Sequence, residues 1–180
     1  MGISKYIVGL SLLLSIYSTN IKAQEEIPWS PNFRLKWKDF KGEVPHMARA
    51  AATTASGISY SFSSRRENGD MKVDYKVEAF FYPTKSWYRP ALCNEVTLLH
   101  EQLHFDISEI FARKMDEEMS KTKFTDNIKQ EVRVLYQRIL KELDDFQRGY
   151  DIETDFSRNI EKQKLWQKHI DRLLEADKSS

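Results

Sequence analysis

The sequence contains one cysteine, Cys93, so no disulfide can close within the chain and the fold has to be held by packing. Cys93 itself is expected to be a buried, inert thiol. An excess of charge is also missing: 28 lysines and arginines face 27 aspartates and glutamates. That balance excludes a strongly basic nucleic-acid binder. No internal repeat is present. Nor is there an apolar run long enough to cross a bilayer. The longest, residues 7–17, covers only about 11 residues where a span needs roughly 20.

That short run has another use. Lys5 precedes it, and Ile21-Lys22-Ala23 follows it as an acceptable cleavage site, so residues 1–23 read as a signal peptide. No cysteine stands just after the apolar run, which argues against a lipid-anchored lipoprotein. The expected product is an exported chain, periplasmic or extracellular, with no stable membrane span and one domain over residues 24–180. Cleavage removes Lys5 and Lys22 and no acid, leaving 26 basic and 27 acidic residues, net −1.

Residues 29–40 carry Trp29, Phe33, Trp37 and Phe40, a density expected to anchor a terminal segment onto a core. Residues 42–45 form a turn. Residues 48–54 are small and carry no pattern that assigns them. His46, just before them, is expected to be solvated. Two runs then alternate with period two: Ile58, Tyr60 and Phe62 in the first, and Met71, Val73, Tyr75, Val77 and Ala79 in the second. Each predicts a half-buried strand, over residues 56–62 and 71–81, with Asn68-Gly69 in the hairpin connection. Three helices are expected after that. The first runs over residues 94–119 with Asn94 as N-cap, burying Leu99, Leu103, Ile107, Ile110 and Met115. The second runs over residues 126–146, with a stripe of Ile128, Val132, Leu135, Ile139, Leu143 and Phe146, and Gly149 ends it. The third runs over residues 157–176, with Trp166, Ile170 and Leu173 inward and His169 partly exposed. Residues 150–156 are read as a loop.

The chemistry lies in His100-Glu101-Gln102-Leu103-His104, the pattern H-E-x-x-H, set among Leu98, Leu99, Leu103 and Ile107. Residues four apart on a helix share a face, so His100 and His104 can aim two imidazoles at one point. Zn²⁺ takes imidazole nitrogen and prefers four ligands in a tetrahedron. Glu101, beside the first histidine, can reach a water held there and move its proton. The pattern arises by chance in on the order of one per cent of chains this size. Its apolar setting argues against two solvated histidines, because buried imidazoles need partners.

If the second helix folds back antiparallel, it reaches the level of His104 near Leu140 and places an acidic region closest to the histidines. Glu142, Asp144, Asp145, Asp151, Glu153 and Asp155 lie there, and a third ligand oxygen is sought among them.

Six segments together resemble a bacterial family of exported proteins of unknown function described as predicted secreted zinc-dependent proteases. They are Leu35-x-Trp37-x-Asp39-Phe40-x-Gly42, Ser56-Gly57-Ile58, Lys85-Ser86-Trp87, His100 through Asp106, Ala112-Arg113-Lys114 and Tyr150-Asp151-x-Glu153-Thr154. The resemblance covers nearly all of the expected mature chain. It implies zinc on His100 and His104 with Glu101 as general base. In the family pattern the Tyr-Asp-x-Glu-Thr run is followed by x-His; this chain has Asp155-Phe156 there. If that histidine is the family's third ligand, Phe156 cannot replace it; either Asp151, Glu153 or Asp155 moves in, or the site is degenerate.

The expected architecture is therefore α+β and zincin-like: a small antiparallel hairpin sheet packed on the H-E-x-x-H helix, with two further helices closing the core. The leading expected function is zinc-dependent hydrolysis of a peptide or protein substrate, with an edge of the hairpin pairing with extended substrate. The rivals are a non-catalytic envelope protein on the same scaffold that binds peptide, and a zinc-binding protein without hydrolysis.

Overall fold

A computed structural model describes residues 25–176. The leader expected over residues 1–23 lies outside the described residues. The order of elements is β1 (Ile27–Pro28), β2 (Ala52–Thr53), β3 (Ser56–Glu67), β4 (Asp70–Phe81), β5 (Trp87–Tyr88), α1 (Glu95–Lys121), α2 (Ile128–Glu153) and α3 (Ile160–Ala176). The fold is α+β, with three helices and small antiparallel sheets.

The two alternating runs form the hairpin, and its arms are longer than the apolar pattern alone marks. β3 and β4 pair over twelve residues each, from Ser56 opposite Phe81 to Glu67 opposite Asp70. Asn68 and Gly69 both have positive φ, 51° and 91°, which is what a two-residue connection between twisted strands requires. Ile58, Ala79 and Phe81 are buried, while the distal residues Ser63 to Glu67 are exposed. Two further pairings were not visible in the sequence. β1 joins the outer edge of β4, and β2 pairs antiparallel with β5 to make a second, two-stranded sheet. The featureless stretch at residues 48–54 thus contains a strand.

α1 is the element the rest packs around. The Asn94 side chain caps it, accepting from the Val96 and Thr97 amides at 2.9 and 3.1 Å. From His100 to Ser108 only His104 is not fully buried, so the helix is enclosed on nearly all sides. Leu99 and Ile110, expected inside, are half-buried. Enclosure leaves polar groups to satisfy, and the amino-terminal segment does this. The Trp29 indole donates to Asp106 Oδ1 at 2.8 Å, Gln102 Nε2 donates to the same oxygen at 3.0 Å, and Gln102 Oε1 accepts from the Leu35 amide at 2.7 Å. With Leu35 and Phe40 buried, the aromatic segment anchors to the core as its composition predicts.

Gly42 is a point of close approach. Its amide donates to the Ser86 carbonyl at 2.7 Å, and a Cβ there would sit 2.8 Å from that oxygen and 2.9 Å from the Thr84 carbonyl. Those atoms are backbone and cannot swing away. Ser86 in turn accepts from the Ala55 amide at 2.9 Å, between β2 and β3. Gly42→Ala is expected to lower stability by about 1–3 kcal/mol, read as a fall in the urea midpoint with unchanged slope.

α2 runs antiparallel to α1. Lys114 pairs with Glu142 at 2.6 Å, Arg138 pairs with Glu118, and Gln147 donates to the His104 carbonyl at 3.1 Å. Ile128, Val132, Leu135, Ile139 and Leu143 form the buried stripe, with Phe146 half-buried. The helix does not stop near Phe146. It continues through Gly149 to Glu153, so residues 150–153 are helical rather than loop. Gly149 has an ordinary negative φ, and its conformational cost of roughly 1 kcal/mol is outweighed by anchoring beyond it. Tyr150 and Thr154 are fully buried, and the Thr154 hydroxyl donates to the Tyr150 carbonyl at 2.7 Å.

Past α2 the backbone turns left-handed. Asp155, Phe156 and Ser157 have φ of 48°, 52° and 75°. This is why α3 begins at Ile160 and not at Ser157. The turn is tied by the Phe156 amide to the Asp151 carbonyl at 2.9 Å and by Asn159 to Thr154 at 2.8 Å. α3 packs on α1 through Ile170 and through Gln163, whose amide donates to the Val96 carbonyl at 2.9 Å. Among the described residues no helix is long and apolar enough to cross a membrane.

Candidate metal centre

His100 and His104 lie one turn apart on α1, as their spacing predicts, and their Nε2 atoms are 3.3 Å apart. The third member is Asp151, on the last turn of α2. Its Oδ1 lies 3.0 Å from His100 Nε2 and 2.9 Å from His104 Nε2. One ligand atom from each residue therefore converges on one small volume. A tetrahedral zinc with ligands about 2.0–2.2 Å away holds them about 3.3–3.5 Å apart. The histidine pair has that spacing, while Asp151 sits at hydrogen-bond distance from both rings and would move back by a few tenths of an ångström, roughly the difference from that range.

The other acidic candidates are engaged elsewhere. Glu142 pairs with Lys114 and Arg138, Asp144 and Asp145 with Arg148, and Asp155 with Arg158; Glu153 accepts from the Trp166 indole at 3.1 Å. The level opposite His104 is Asp151, not Leu140. α1 runs on to Lys121 and a six-residue connection, residues 122–127, carries the chain further before it returns.

Glu101 lines the same cavity as His100, His104 and Asp151, and is only 5 % exposed. Its Oε2 is buried without a hydrogen-bond partner, an arrangement that costs energy unless something at the site satisfies it. An unpaired carboxylate oxygen beside two imidazoles and a carboxylate fits a cation with a water. His100 Nδ1 has no hydrogen-bond partner among the described residues either. Its ring is instead stacked on Tyr150, centroids 4.5 Å apart at 21°. Burial, reinforced by the Glu101 and Asp151 charges, pushes the Tyr150 phenol far above its ordinary range and keeps it neutral.

Burial also works against a charge on His104. The hydrogen bond to Asp151 and the charges of Glu101 and Asp151 outweigh it, so its pKa is raised. For Asp151, burial favours the protonated form, but the hydrogen bonds from His100 and His104 dominate and hold its pKa well below the usual carboxylate range.

The cavity, about 730 Å³, falls within the range usual for ligand sites. Its other walls are residues 49–54, Leu92, Thr97, Gln147 and the turn at residues 156–158. The strand along it is β2, not an arm of the hairpin. The hairpin starts beside Ser108, where the Ser56 and Ser108 hydroxyls are 2.7 Å apart, and runs toward the far end of α1, where Tyr75 donates to the Asp116 carbonyl and Arg66 pairs with Asp126. β2 is held on α1 by the Thr54 hydroxyl, which donates to the Glu101 carbonyl at 3.1 Å. The Ala51 carbonyl accepts from the Arg89 amide at 2.8 Å, so alternation turns the Ala52 amide and carbonyl away from β5. Cys93, expected buried, is half-buried with its thiol directed at the Ala51 carbonyl; burial raises its pKa. His46 is exposed, and so is His169, which lies against Phe146 and Trp166.

Gln147, Tyr150, Leu92 and β2 were not picked out as site residues from the sequence. Only Tyr150 carried a signal there, as the neighbour of Asp151 in a recognisable segment. No curated protein and no solved structure matches the chain. Residues 37–158, which include His100, Glu101, His104 and Asp151, match a family described as "Bacterial protein of unknown function (DUF922)", and the chain belongs to that family.

Proposed function

We propose that this protein is an exported, zincin-like metallopeptidase that holds zinc on His100, His104 and Asp151. The observation that carries the reading is the convergence of three ligand atoms beside a buried carboxylate oxygen with no other partner. Zinc bound there would supply a Lewis acid that polarises the scissile carbonyl and makes water more acidic. Glu101 is the general base: it takes the proton of the attacking water and delivers it to the leaving amine as the C–N bond breaks. The Ala52 amide and carbonyl, turned away from β5, pair with the backbone of an extended substrate. The Tyr150 ring fixes the His100 imidazole by stacking, and Gln147 secures the backbone at His104.

The test is zinc uptake as a function of pH, followed by peptide cleavage with the loaded protein. About one zinc per chain is expected. The sign of the pH dependence follows from the two shifts. In metal-free protein the raised His104 pKa gives stability that is full below its unfolded value of 6.5 and lost as pH rises through the folded value. The lowered Asp151 pKa gives stability present above 3.8 and lost as pH falls through its folded value. The metal-free pair is thus most stabilising between those limits. Zinc needs neutral imidazole, so its affinity rises with pH through the raised His104 value. Zinc is expected to raise Tm little at about pH 5 and most at about pH 8. Protein that takes up no zinc at the higher pH would leave only the scaffold.

A further inference from the structure

We propose that Phe156 and Leu92 form the side-chain subsite of this cavity and select peptides with a large apolar residue next to the scissile bond. The proposal rests on the peptidase reading and adds its substrate class.

Single exposed apolar side chains are ordinary on protein surfaces. These two are distinguished by where they converge. Leu92 ends a 3-10 turn before α1, and Phe156 follows α2; they are 59 % and 58 % exposed, and both line the cavity that holds His100, Glu101, His104 and Asp151. The same cavity is lined by the small side chains of Ala50, Ala51 and Ala52, which leave room for a side chain.

The backbone at Phe156 is a second, independent observation. A bulky residue in the left-handed region is strained, and here it is the middle of three such residues. Glycine or asparagine would take this conformation at lower cost. The turn is nevertheless held firmly, because the Phe156 amide binds the carbonyl of Asp151, the residue whose carboxylate meets the histidines. Arg158 grips Asp155 through two hydrogen bonds, at 2.9 and 2.6 Å, and its guanidinium lies 6.0 Å from the Phe156 ring centroid. The backbone that carries the ring is therefore tied to Asp151, while the ring itself remains open to solvent. An exposed aromatic on a tied backbone gains contact area when an apolar side chain covers it, and has few side-chain torsions to order.

The experiment uses zinc-loaded protein and matched fluorogenic peptides that differ only in the residue beside the cleaved bond, leucine or phenylalanine against serine. A preference of at least about tenfold in kcat/KM for the apolar peptides, carried by KM, is expected. Phe156→Asn, which suits the left-handed turn, and Leu92→Ala should each bring the ratio toward one with zinc content unchanged. Binding of the same peptides to zinc-loaded Glu101→Gln protein, followed by fluorescence anisotropy, separates the subsite from the chemistry. Apolar preference in binding that Phe156→Asn removes upholds the subsite even if no peptide is cleaved, in which case the peptidase reading alone falls. Cleavage with no apolar preference, or with a preference that both variants keep, overturns the subsite and leaves the peptidase reading standing. Protein that neither binds nor cleaves any of the peptides ends both.

Discussion

Glu101→Gln is expected to reduce peptide hydrolysis by about 100-fold or more while leaving zinc content and folding in place. The amide keeps the size of the carboxylate but cannot accept the proton of the attacking water. Glu101 is not among the three groups whose atoms converge, so removing its charge should not release the ion. Its Oε2 has no hydrogen bond to lose, and the site is buried, so no new solvent path is opened. The measurement is kcat/KM beside zinc stoichiometry and a urea melt on the same preparations. A variant as active as the parent would refute the role of Glu101 as base, and with it the peptidase reading.

Asp151→Ala should weaken zinc binding by more than about 100-fold, because loss of a direct ligand exceeds the 10–100-fold that loss of an outer hydrogen-bond partner costs. His100→Ala or His104→Ala should do the same. Phe156→His is the informative counterpart, since the resemblance drawn from the sequence expects a histidine at that place. With Asp151 completing the set, this change should leave zinc affinity nearly where it was. Competition with a chelator of known affinity measures both. A site that tightens with Phe156→His and ignores Asp151→Ala would instead be a degenerate one that held zinc through two histidines.

The helical spacing of His100 and His104 was enough to put both on one side of α1, and the alternation of residues 58–62 and 71–79 was enough for a hairpin. Both are local periodicities, and burial follows them directly. Asp151 was one acid among six because its selection depends on how far α1 and the connection at residues 122–127 carry the chain before α2 returns. That offset is tertiary, and pairs such as Lys114 with Glu142 mark it. Gly149 misled because its preference for helix ends is small against the burial of Tyr150. β2 was invisible for a different reason. Two residues, Ala52 and Thr53, have no period to read, and their pairing with Trp87 and Tyr88 spans a gap in the sequence that no local pattern covers.

The three converging atoms also bear on a chain without disulfides. His104 and Asp151 are 47 positions apart and sit on two different helices. An ion shared between them, as proposed, would be a removable cross-link that exists only once α1 and α2 have docked. Each tenfold rise in free ion above its dissociation constant then adds about 1.4 kcal/mol to the stability of the native state, reaching about 4 kcal/mol at a thousandfold excess. The persistence of the folded protein would thus be set by the ion concentration of its compartment as well as by its own packing.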